Sequence, residues 1–232
     1  MLQIKILQVS PLTTNCLVVW DDAGSACAVV DPGFYRPEEE KMVLEYLEKE
    51  KLVPEAILLT HGHFDHVWGV ASLVRRFGMP VYMHPDDEPI MRLGTGLVPR
   101  VKLGKEVEPF AFRSVSDGEE VRAGGCSWQV ISTPGHSPGG VCYWCREAGV
   151  LLSGDTLFAG SIGRTDHEGG DYDVLIRSVM DKLMGLPGDT DVVPGHGHPT
   201  TIGREAMTNP FLIPFNEPDS QWDQDGLELD GI

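Results

Sequence analysis

Residues 58–69, LLTHGHFDHVWG, place three histidines and an aspartate within six consecutive positions: His61, His63, Asp65 and His66. They follow directly on the apolar run Ala56-Ile57-Leu58-Leu59, which predicts a buried strand. In an extended segment His61 and His63 project to the same side, so one cation can take both. Asp65 and His66 come at the turn into the next helix and can face a second ion. Four such side chains make at most half of a site, and the rest must come from elsewhere in the chain.

Three later strand-like runs supply it. WQVIST (128–133) leads into Pro134-Gly135-His136, GVLLSG (149–154) ends at Asp155, and DVVPG (191–195) ends at His196. Four strands therefore each deliver a His or Asp just past their last residue, where rigid scaffolds place chemical groups. Gly135, Gly154 and Gly195 are expected to permit the tight turns this needs. Neutral imidazole and carboxylate together suit zinc, iron or manganese without any cysteine. One carboxylate has to bridge two neighbouring cations, and Asp155, alone on its strand end, is the natural choice. Taken singly, Asp65 could cap a helix, His136 could be a loop residue and Asp155 a turn former. Their convergence with the 61–66 cluster favours a two-metal centre.

The composition agrees with an enzyme of small molecules. At 232 residues with 41% hydrophobic and 23% charged residues, the chain is sized for one domain with an ample core. The expected division is a single domain over 1–216 and an acidic, solvated tail over 217–232, which holds six acids and no base. A net charge of −17 argues against nucleic acid as a partner. No apolar run approaches the ~20 residues of a membrane span. The N-terminus alternates like a strand and has no leader-like apolar region, so a cytoplasmic location is expected. Five cysteines at irregular spacing do not suggest a disulfide framework. Cys142 and Cys145 form a C-x-x-C, but in a strand their side chains diverge, so reduced, partly buried thiols are expected.

Further strands are predicted at 2–9, 15–20, 26–30, 56–60, 81–84 and 140–144. Helices are predicted from PEEEKMVLEYLEKEK (37–51), HVWGVASLVRRFG (66–78) and DYDVLIRSVMDKL (171–183). The closely spaced N-terminal strands suggest hairpins, whereas later strands alternate with helices. Two sheets packed on each other with helices outside, an α+β arrangement, follow from this mixture. The Pro- and Gly-punctuated region 85–120 is expected to be mostly loop.

THGHFDH, TPGHSPGG, SGDTLFAGSIGRTD and PGHG together resemble the metallo-β-lactamase fold superfamily, and within it the compact glyoxalase II-like hydrolases. The resemblance implies an αββα sandwich of two mixed β-sheets packed face to face. It implies one metal on His61, His63 and His136, a second on Asp65, His66 and His196, and Asp155 bridging both. Asp31, in VVDPG, would support the site from behind, although it also suits a turn after its strand. Arg164 falls where glyoxalase II enzymes carry a basic residue that contacts glutathione; Asp166 stands where they have a tyrosine contact. His84, His167 and His198 lie outside the ligand pattern, with His167 a candidate for the substrate entrance.

The activity so implied is hydrolysis of a small-molecule S-acyl thioester such as S-lactoylglutathione by a metal-bridging hydroxide, with Asp65 orienting the nucleophile. Two divalent ions, zinc before iron or manganese, are the implied cofactors. Mononuclear-iron persulfide dioxygenases share the fold and a GRTD-like stretch, and lactones or other esters are alternative substrates. A metal-stabilised interaction protein is a non-catalytic alternative, but structural metal sites are closed and usually use cysteine. The thiol carrier, the cellular metal and the oligomeric state are left open by the sequence.

Overall fold

Strand-forming runs with alternate side chains divided between two apolar environments dominate the chain. A computed structural model describes residues 1–93 and 105–216. β1 (Leu2–Val9), β2 (Thr14–Asp21) and β3 (Ala26–Val30) form an antiparallel meander. After α1 (Pro37–Glu50), the chain returns as β4 (Val53–Leu58), parallel to β3. α2 (Phe64–Val67) and α3 (Val70–Phe77) then lead to β5 (Val81–Met83), parallel to β4. A turn Pro85–Asp87 and α4 (Glu88–Leu93) precede β6 (Arg113–Ser114), which completes a six-stranded sheet in the order β1-β2-β3-β4-β5-β6.

The second sheet begins with β7 (Glu120–Ala123), β8 (Cys126–Ser132), β9 (Val141–Cys145) and β10 (Val150–Gly154), all antiparallel neighbours. A short hairpin, β11 (Leu157–Phe158) and β12 (Ser161–Ile162), and α5 (Tyr172–Ser178) follow. β13 (Asp191–Pro194) joins parallel to β10 and pairs with β14 (Thr200–Thr201). α6 (Ile202–Thr208) and α7 (Ile213–Asn216) close the described chain. The sheet order is β14-β13-β10-β9-β8-β7.

Alternation assigns the layers. In β2, Leu17 and Val19 face the second sheet, while Cys16 and Val18 face α1 and α3. The space between the sheets is filled from both sides, by Val30 and Leu58 against Trp128, Val130, Tyr143 and Leu152. On the far side, Trp144, Leu151 and Val192 pack on Leu175, Ile176 and Val179 from α5 and the turn that continues it. Four layers result, helix, sheet, sheet, helix, as expected for an α+β sandwich. Cys142 belongs to the outer cluster and Cys145 to the inter-sheet cluster, so the two thiols diverge, and all five cysteines are free.

Two local expectations are corrected and one alternative is excluded. The helix predicted over 66–78 is two helices interrupted at Trp68-Gly69. The Pro32-Gly33-Phe34 segment passes there: the Gly69 N–H donates to Pro32 O at 2.7 Å, and a Cβ on Gly69 would lie 2.5 Å from that oxygen. The region 85–120 is not simply loop, since it carries the Pro85–Asp87 turn, α4 and β6. Residues 94–104 within it, and the tail at 217–232, lie outside the described residues. Asp65 does not cap α2, because His63 occupies the cap position and Asp65 sits within the helix.

Candidate metal centre

β4, β8, β10 and β13 point their C-terminal ends, or the loops beyond them, at one rim of the sandwich, and the seven predicted side chains meet there. His61, His63 and His136 bring one ligand atom each within 4.8 Å of one another, and so do Asp65, His66 and His196. Asp155 lies between the groups: its carboxylate is 3.5 Å from His136 Nε2 on one side and 3.5 Å from His196 Nε2 on the other. Asp155 is also 3.6 Å from His66 Nε2. Asp65 Oδ2 lies 3.4 Å from His196 Nε2 and 3.6 Å from His66 Nε2.

Hydrogen bonds fix which face of each imidazole meets the centre. His136 Nδ1 donates to Arg164 O at 2.7 Å, and His196 Nδ1 donates to Leu12 O at 3.0 Å. His66 Nδ1 donates to Asp31 Oδ2 at 3.0 Å. Thr60 Oγ donates to Asp31 Oδ2 at 2.6 Å, and so accepts from His61 Nδ1 at 3.0 Å. Each of these four rings therefore turns its Nε2 inward, the orientation that buried partners impose on metal-binding histidines. His66 Nε2 and His196 Nε2 face each other at 3.3 Å, two lone pairs with only a cation or a proton to reconcile them. His61 Nε2 and Asp155 Oδ1 are buried without a hydrogen-bond partner among the described residues. Such atoms are costly to leave bare. The donor set and its geometry fit two divalent ions.

The electrostatics divide the centre in two. Burial, reinforced by the neighbouring imidazoles, holds His61 well below the usual histidine range. Burial likewise depresses His63 and His136 to about 3. The first triad is thus three neutral imidazoles ready to donate. His66 is pushed up to about 10: burial opposes its charge, but Asp65, Asp155 and Asp31 outweigh the burial. Burial likewise opposes the Asp65 charge, yet His66 and His196 hold its carboxyl below the usual range. Positive charge is strongly stabilised at the second triad.

Asp31 lies behind the centre, hydrogen-bonded to His66 and Thr60, and its carbonyl accepts from the Gly33 N–H at 2.8 Å. Its φ is +48° and its carboxylate accepts from the Thr60 N–H at 2.9 Å as well as from Thr60 Oγ and His66. The Arg164 side chain is exposed and paired with Asp166 at 2.9 and 3.0 Å, whereas its backbone carbonyl orients His136. His167 stacks edge-on against His63 and His136 with centroids at 4.7 and 4.8 Å. His84 and His198 lie off the centre; His84 caps the Pro85–Asp87 turn.

Some contributors escaped sequence reasoning. Thr14 Oγ donates to Asp65 Oδ2 at 2.9 Å, and Thr60 links Asp31 to His61. Gly195 is needed for space rather than for a turn, unlike Gly135 and Gly154 with φ of +128° and +49°. Its φ is not positive, but a Cβ there would lie 2.8 Å from His66 Cε1 and closer still to Asp155.

A four-layer αββα fold with a buried His/Asp centre at one rim defines a metal-binding protein of the metallo-hydrolase type. The chain belongs to the metallo-β-lactamase superfamily, whose family model matches residues 9–196. It is similar to the hydroxyacylglutathione hydrolase GloC of Haemophilus influenzae, at 33% identity over 221 residues, covering 91% of this chain and 98% of that one. Among solved structures it resembles the BLEG-1 B3 metallo-β-lactamase, with TM-score 0.81, 36% identity and coverage of 91% and 99%. It also resembles TTHA1623 in a di-iron-bound form, with TM-score 0.78, 41% identity and coverage of 90% and 100%. Among the described residues no helix is long and apolar enough to cross a membrane.

Proposed function

We propose that the protein is a dinuclear metal-dependent hydrolase that cleaves the thioester of a small S-acyl thiol of the S-lactoylglutathione type. The observation that carries this is the pair of donor triads with Asp155 between them, since a carboxylate so placed can serve both ions at once. His61, His63 and His136 would hold one ion, Asp65, His66 and His196 the other. Two such ions supply a Lewis acid and a water acidic enough to act as nucleophile near neutral pH.

The chain's own groups provide the rest. Asp65, held by Thr14 Oγ, is an acceptor for orienting a water proton at the centre. His196, with about a quarter of its side chain exposed, marks the open side through which substrate enters. A thiolate is a good leaving group, and the site needs no dedicated acid beside it. The Arg164 guanidinium, exposed at the same rim, would exchange Asp166 for a carboxylate on the thiol carrier.

Similarity over nearly full length to a protein named hydroxyacylglutathione hydrolase supports the thioester, and similarity to a di-iron structure supports two metal positions. Zinc is the proposed ion, with iron or manganese compatible with the same donors. The test is loss of thioester absorbance with S-lactoylglutathione, run beside oxygen uptake with glutathione persulfide and opening of simple lactones. Thioester cleavage abolished by chelator and restored by divalent metal is expected. Oxygen uptake without thioester cleavage would replace hydrolysis by dioxygenase chemistry.

A further inference from the structure

Asp87 is a fully buried aspartate that belongs to neither donor triad. β5 ends at Met83, and His84 then caps the turn Pro85–Asp87, its Nδ1 accepting from the Asp86 N–H at 3.3 Å. The turn aims the Asp87 carboxylate at two loops far apart in sequence. Oδ2 accepts from the Gly62 N–H at 2.6 Å and from Ser137 Oγ at 2.8 Å, and Oδ1 accepts from the Gly139 N–H at 2.6 Å. Gly62 separates His61 from His63, and Ser137 directly follows His136.

Both loops are also shaped to receive this residue. A Cβ on Gly62 would lie 2.6 Å from Asp87 O, and a Cβ on Gly139 would lie 2.6 Å from Asp87 N and 2.9 Å from Oδ1. Only glycine lets either loop approach so closely. The two loops carry all three members of the neutral triad, with His63 Nδ1 and His136 Nε2 at 2.9 Å.

We infer that Asp87 is a positioning residue for the cation held by His61, His63 and His136. It ties the His61-Gly62-His63 loop to the His136-Ser137 loop and so fixes the spacing of the three nitrogens. Its donors adjoin His61, His63 and His136 in sequence and none adjoins Asp65, His66 or His196, so its effect falls on one ion of the two. This rests on the two-metal account of the site, but not on the substrate. A purely structural role, satisfying three loop donors, would lower stability and leave the two ions equally bound.

The experiment titrates metal-free full-length protein with Co(II), following visible absorbance against a competing chelator, and measures thermal unfolding of the same metal-free samples. Asp87→Asn keeps the volume but turns an amide NH2 toward N–H donors, and Ser137→Ala removes one of the three contacts. In Asp87→Asn one cobalt ion should bind on the order of 10- to 100-fold more weakly, as for other partners that orient metal ligands. The second should keep its parental affinity, and Ser137→Ala should shift the same ion less. Parental affinity at both positions, or equal weakening at both, overturns the inference. Should Asp87→Asn not fold, Ser137→Ala carries the test by the same criteria. A parental chain that binds one ion only refutes the two-metal account, whereas the positioning role then stands or falls on whether Asp87→Asn weakens that ion.

Discussion

Replacing Gly195 with alanine adds one methyl group and nothing else. Gly195 does not have a positive φ, so the backbone tolerates the new side chain without strain. The methyl group has no such tolerance: its carbon would lie 2.8 Å from His66 Cε1 and closer to Asp155 Oδ1, where real Cβ atoms essentially never come within 3.0 Å. Asp155 must retreat by more than twice the roughly 0.2 Å tolerance of a metal–ligand bond. A misplacement approaching ~1 Å costs on the order of 100-fold in rate, and kcat/KM for thioester cleavage should fall by about that factor. Bound metal should fall as well. The metal-free variant should unfold within a few degrees of the parent, because the two closest contacts are side chains and the backbone contact, Gly154 C at 3.1 Å, needs only a small shift. The assay is therefore threefold: elemental analysis, turnover and thermal unfolding after chelation. Gly195→Ala with full metal and parental kcat/KM would refute the placement of Asp155 and His66 around a shared pair of ions.

Trp128 fills the space between the sheets, with its Nε1 donating to Ala123 O at 3.1 Å. Trp128→Ala should cost about 3–5 kcal/mol in urea unfolding, as large-to-small changes in cores do, and a loss under about 1 kcal/mol would contradict the packing. Metal-free protein should lose stability on acidification. His63 and His136 have folded values of about 3 against 6.5 when unfolded, so between those limits only the unfolded chain takes up their protons. Stability is thus intact above about pH 6.5 and falls as pH drops toward 3. His66, raised to about 10, acts in another window: its contribution is present below 6.5 and is lost as pH rises toward 10. Thermal unfolding of the chelated protein at pH 7.5, 6 and 5 checks the acidic limb, and a midpoint independent of pH would refute it.

The layers and most of the site were legible because period and strand ends carry their own signal. The two-residue period of a strand set Cys142 and Cys145 on opposite faces of β9, and they fall in different clusters. His136, Asp155 and His196 each follow an apolar run, and the parallel pairing of β10 with β13 aligns two of those ends. What escaped notice depends on contacts between distant segments. The break before α3 is set by Pro32 O, which no local pattern in 66–78 announces. Thr14 meets Asp65 across 51 residues. Asp87 had a signal that went unused: it follows the predicted strand 81–84, as His136 follows 128–133, and the rule that found the ligands applies to it. Gly195 was recognised, but for the wrong reason, since what its missing side chain permits is room for Asp155 rather than a turn.

The central claim is that Asp155 joins two cation sites, and the direct measurement is metal content of the parent and of Asp155→Ala by elemental analysis. About two ions per chain in the parent, falling to less than one in the variant, is the predicted result for a shared carboxylate. An unchanged stoichiometry in Asp155→Ala, or a single iron in the parent, would contradict it.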